Sequence, residues 1–171
     1  SSTLDFTSGI DSTYKEYIFK FINIHPSATA KFQVNFSTDG GSNYNVTKTT
    51  TAIQIYHNEN TDSDTGFSYS TGGDLAQGTG IQPLGGDVMG VTNDNCGSGY
   101  LQVFNPADTT FVKHYISRFK PNYNAADGST PYSHDGFTSG YVNTTAAVTA
   151  VQFKMSTGNI DAGTIKLYGI K

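Results

Sequence analysis

The chain has 171 residues, enough for one domain, 1–171, that hides roughly 70% of the surface its unfolded form would expose. Only 14% of residues are charged and the formal net charge is −4, with Arg118 the single arginine, so no basic field exists to draw nucleic-acid phosphates. The lone Cys96 excludes an internal disulfide, and no apolar run approaches the ~18 residues of a membrane-spanning helix.

Thr, Ser, Asn and Gly fill the polar positions, a composition that favours strands and turns over helices, and 11 Tyr with 11 Phe supply a ring-rich core. The first strand is expected at 15–24 (KEYIFKFINI), with Tyr17, Phe19 and Phe21 on one side, Ile18, Ile22 and Ile24 on the other, and both faces covered. Pro26 closes it. Residues 31–37 (KFQVNFS) alternate, with Phe32, Val34 and Phe36 inward and Lys31, Gln33 and Asn35 outward. The glycines of 38–43 (TDGGSN) suit a hairpin, so the strands on either side are expected to pair antiparallel. The second of them is a Thr-rich strand over 46–57, with Ile53 and Ile55 on one face and Tyr56 on the other, followed by a polar stretch, 58–66. Residues 68–99 are Gly-rich and weakly patterned, with 81–84 and 88–91 as short strand candidates. Beyond them, 100–104 and 110–120 read as strands joined by the turn Asn105-Pro106-Ala107-Asp108. A polar loop is expected over 121–136, and then strands at 148–155 and 163–170 paired across the turn 156–162. About eight strands with almost no helix describe an all-β protein, an antiparallel β-sandwich of jelly-roll type.

Residues that could carry chemistry are few. His25, His57, His114 and His134 are far apart and lack metal-motif spacing, so no metal or other cofactor is expected. Asp62 and Asp64 alternate as in a calcium loop, but no third ligand or closing Glu follows. No GxSxG elbow places a nucleophile, and GGDLAQGTG lacks the Lys of a phosphate-binding loop, so catalysis is not expected. The long polar loop offers recognition instead. Tyr123 and Tyr132 flank it, His134 and Asp135 form a neighbouring pair able to make a charge-assisted contact, and tyrosine rings stack on sugars, anchor protein interfaces or simply pack such a loop against the sandwich. The opening Ser1-Ser2-Thr3 has neither the basic nor the apolar region of a secretory signal, so synthesis in a cytoplasm is expected.

Three segments carry a more specific likeness: LDFTSGIDSTYKEYIFKFINIHP (4–26), LQVFNPADTTFVKHYIS (101–117) and GYVNTTAAVTAVQFKMSTGNIDAGTIKLYGI (140–170). Together they resemble a group of small structural proteins of marine tailed bacteriophages. The resemblance implies a virion component attached to head or tail, with other virion proteins and further copies of itself as partners and no catalytic residues to carry over. Two expectations follow. One is a capsid-surface accessory protein, of the decoration or head-fibre kind, that self-associates and binds the shell. The other is a lectin-like tail-fibre module, commonly a trimer in such tips, that recognises host glycan through loop Tyr, Asn and Asp. Strands apolar on both faces, KEYIFKFINI above all, favour association between copies.

Overall fold

The computed structural model describes residues 1–124 and 131–171. In chain order the strands are β1 (Thr3–Phe6), β2 (Glu16–Pro26), β3 (Phe32–Ser37), β4 (Lys48–Asn58), β5 (Thr65–Tyr69), β6 (Gln82–Pro83), β7 (Gly97–Phe104), β8 (Lys113–Asn124), β9 (Pro131–Val142), β10 (Ala150–Met155) and β11 (Ile160–Ile170). They form two antiparallel sheets, one ordered β1-β10-β3-β6 and the other β11-β2-β7-β8-β9-β4-β5, and no helix occurs among the described residues. The all-β sandwich expected from composition and alternation is what the chain adopts.

The core lies where the facing sides of the two sheets meet. Phe19, Phe21, Leu101, Val103, Tyr115 and Phe119 project from the larger sheet onto Phe32, Val34, Phe36, Val151, Phe153 and Met155 of the smaller one. Phe153 sits at its centre, with ring centroids of Phe19, Phe21, Phe32 and Phe6 at 5.1, 5.2, 5.7 and 6.0 Å. Most of these contacts are edge-to-face, the arrangement the ring quadrupole favours.

Both expected hairpins at 38–43 and 156–162 are corrected, because each of those connections crosses between sheets. β3 pairs with β10 and β6, β4 pairs with β9 and β5, and β11 pairs with β2 instead of β10. Adjacent strands with apolar inner faces can stack across a core as readily as pair beside one another, and alternation does not distinguish the two. In the first crossing, hydrogen bonds from Ser37 and Asn43 hold the Asp39 carboxyl down at about 2 and shape the chain around it.

Strand β2 is covered on one face only. Asn23, at φ +50°, inserts a bulge that returns Ile24 to the core while Ile22 stays 42% exposed. The bulge is matched by Gly163 on β11 at φ +110°, where a Cβ would lie 2.7 Å from the Asn23 carbonyl oxygen. Only glycine fits there. Asn35, expected outward, is 1% exposed because the crossing segment covers it: its Nδ2 donates to the Tyr44 carbonyl.

The loop expected over 121–136 is mostly strand, with β8 and β9 extending into it, and its centre, 125–130, lies outside the described residues. Of the two short candidates in the Gly-rich stretch, 81–84 contains β6, whereas 88–91 contributes only a bridge between Met89 and Ala30. That stretch is organised by the buried Gln82, whose Nε2 donates to the carbonyls of Gly73 and Pro83 while Oε1 accepts from the Thr50 hydroxyl at 2.7 Å.

Candidate functional site

Two groups of side chains stand out, and they lie on opposite faces of the larger sheet. The first is the far end of its inner face, where β8, β9 and β4 run past the smaller sheet. Tyr123 pairs across the ladder with Tyr132, and Tyr56 with His134. The Tyr123 and Tyr132 rings stack at 5.9 Å, and the Tyr56 and His134 rings at 5.6 Å. Tyr132 donates its hydroxyl to Asp64 at 2.7 Å, which raises the phenol above its ordinary value. Hydrogen bonds from Asn58 and Tyr132 lower the Asp64 carboxyl in turn.

Three of the four residues singled out from sequence, Tyr123, Tyr132 and His134, therefore meet in one aromatic cluster. They do so as half-buried or buried strand residues, not as exposed loop residues. Asp135 is not among them. Adjacent strand residues face opposite ways, so the expected His134–Asp135 contact does not form, and Asp135 instead accepts both Nε and a terminal nitrogen of Arg118 on the outer face. The rings also spend their faces on each other, which leaves them packing the end of the sandwich.

His134 is the strained member of the cluster. It is 4% exposed, and its Nδ1 is buried without a hydrogen-bond partner among the described residues. Burial lowers its pKa below 6.5, against a raising influence from Asp87 and a further lowering one from Lys120. The native state thus binds its proton less readily than the unfolded state does. Stability from this residue is complete above pH 6.5 and is lost as the pH falls through and below that value. Urea midpoints between pH 8 and pH 5 are expected to fall more steeply in the native chain than in His134→Phe. Equal slopes would show that His134 is not the group responsible.

The second place is the outer face of the larger sheet, which no other strand among the described residues covers. Of nine large apolar side chains exposed among the described residues, seven lie here. Ile22, Tyr168 and Ile170 come from β2 and β11, Ile116 from the centre, and Ile55, Phe67 and Tyr69 from β4 and β5, while Val91 and Phe111 sit in connections. One rung crosses all seven strands: Lys166, Lys20, Tyr100, Arg118, Phe137, Ile53, Tyr69. Within it the Lys20 ammonium lies 4.9 Å from the centre of the Tyr100 ring and the Arg118 guanidinium 4.9 Å from that of Phe137. Cations laid on rings flatten the surface, and while Arg118 spends its charge on Asp135, no carboxylate forms an ion pair with Lys20 among the described residues. A shallow groove of about 350 Å³ runs between Phe104, His114, Ile116 and Tyr141, edged by hydroxyls of Thr49 and Ser139.

Sequence reasoning caught part of this surface through the doubled apolar pattern of β2, and it missed the contribution of β5. The alternation of Phe67 and Tyr69 in TGFSY was the available signal. No protein-family model, no curated protein and no solved structure matches the chain.

Proposed function

We propose that the chain is a non-enzymatic structural subunit of a bacteriophage particle, a capsid-surface accessory protein whose copies associate with one another and with the shell. The uncovered apolar face of the seven-stranded sheet carries this reading. Strand spacing and rise give that face about 30 Å by 25 Å, or roughly 750 Å², close to the ~800 Å² per partner of a standard stable interface. Its make-up suits an interface as well, with apolar and aromatic side chains spread across it and Lys20 and Lys166 together towards one edge. The winding of the chain, which alternates between the sheets from β1 to β4 and places the β8–β9 hairpin within the larger sheet, is in keeping with a jelly roll. The phage resemblance of 4–26, 101–117 and 140–170 supplies the setting, the surface of a virion.

Static light scattering on the purified chain tests the association. The native protein is expected to be oligomeric at micromolar concentration, and Ile55→Lys combined with Phe67→Lys to be monomeric with unchanged circular dichroism. A native chain that remains monomeric at high concentration would overturn the reading. Labelling of intact particles with antibody against the chain then separates locations, since labelled heads support a decoration role and label confined to the tail removes it.

A second reading rests on the groove beside Tyr141. Rings of Phe104, His114 and Tyr141 next to the hydroxyls of Thr49 and Ser139 make a surface on which a sugar can stack and hydrogen-bond, as a tail-fibre module for host glycan would require. Saturable glycan binding abolished by Tyr141→Ala supports it. Binding that survives this substitution excludes the groove.

A further inference from the structure

Two lysines are fully buried, Lys48 and Lys113, on strands either side of Val142 and in register with it. Their surroundings differ. The Lys113 ammonium donates to two backbone carbonyls, of Phe111 at 3.0 Å and Thr144 at 3.1 Å, and feels the charge of Asp108. Lys48 has the Val46 carbonyl at 2.9 Å and the side-chain amide oxygen of Asn35 at 2.6 Å, and no carboxylate forms an ion pair with it among the described residues. A buried cation without a counter-charge is costly, and a route that neutralises it is favoured.

The Asn35 amide is itself held for reaction. It is 1% exposed, its Oδ1 accepts the Phe36 N–H at 3.0 Å as well as Lys48, and its Nδ2 donates to the Tyr44 carbonyl. An amine 2.6 Å from a carbonyl oxygen stands about 3–3.5 Å from the carbonyl carbon at ordinary hydrogen-bond angles, which is attack distance. The Phe36 N–H on Oδ1 polarises the C=O towards that attack.

We infer that Lys48 and Asn35 condense after folding into an intramolecular isopeptide bond that ties β4 of the larger sheet to β3 of the smaller one. In this step the Lys48 amine attacks the Asn35 Cγ, and the developing oxyanion stays on the Phe36 N–H. One hydrogen moves from Nζ to Nδ2, the Cγ–Nδ2 bond breaks, and ammonia leaves. Atoms balance with no oxidant or other reactant. Burial brings the Lys48 ammonium down to about 8, so the free amine is present at neutral pH and increases above it. The link would stand where water does not reach it, and it would hold the two sheets against separation in a particle exposed to the environment.

Intact-mass measurement of the full native chain, followed by tryptic mapping of the denatured protein, tests this directly. The chain is expected to be lighter than its sequence by one ammonia, with conversion faster at pH 9 than at pH 6. Acylated Lys48 resists trypsin, so the peptide 32–48 is expected to be missing, and a longer peptide running to Lys113 takes its place. Lys48→Arg and Asn35→Ala are each expected to keep the full mass, while Lys113→Arg still loses ammonia. A native chain of full mass after prolonged incubation at pH 9, or an ammonia loss that leaves 32–48 intact, would overturn the proposal.

Discussion

Phe153→Ala is expected to lower the free energy of unfolding by about 3–5 kcal/mol, the range for deleting a buried ring from a core that cannot collapse around the gap. Phe153 is fully buried, and its ring is packed by Phe6, Phe19, Phe21 and Phe32, drawn from three other strands in both sheets. Backbone ladders to β1 and β3 fix β10 on either side, so the surrounding rings cannot slide inward to fill the space. Guanidinium unfolding should show a lower midpoint at an unchanged slope. A loss below about 1 kcal/mol would mean that the centre of the core has been misplaced.

Gly136→Val is expected to destabilise by roughly 3 kcal/mol through overpacking, the opposite fault. A Cβ at Gly136 would lie 2.3 Å from the Gly85 Cα and 2.5 Å from the Gly86 nitrogen, so main chain meets main chain and no side-chain rotation relieves it. The segment at 84–87 therefore has to lift off β9. Thermal unfolding reads the loss. Full stability in Gly136→Val would show that the segment moves freely.

That contact also explains what could and could not be read from the sequence. β2, β3 and β10 were legible because their inner positions are Phe, Val, Ile and Met facing an opposing sheet. β9 was not, because its inner positions His134, Gly136, Thr138 and Gly140 are polar or glycine, and a Cβ at Gly136 or Gly140 would meet the main chain of a loop or a neighbouring strand. Alternation of apolar residues reports burial against side chains and is silent where burial is against backbone. Sheet membership was equally hidden, since the 38–43 and 156–162 connections carry turn residues whether the chain doubles back beside itself or steps over the core.

The candidate site divides the same way. Tyr123, Tyr132 and His134 could be grouped by closeness in sequence, whereas Tyr56 and Asp64 join them only through the β4–β9 register and the turn after Asn58.

The rims of the larger sheet set limits on how copies can meet. β5 is five residues long, but β11 offers eleven with one side unpaired, a length that invites open-ended strand addition. Its register is broken on either side of Ala162, the chain turns through Gly163, and Lys166 repeats a positive charge beside Lys20. A kinked, cationic rim is a poor template for a second such rim. Under the association proposed above, contacts between molecules would be steered towards the broad surface, which closes on a partner and stops, and away from fibril growth.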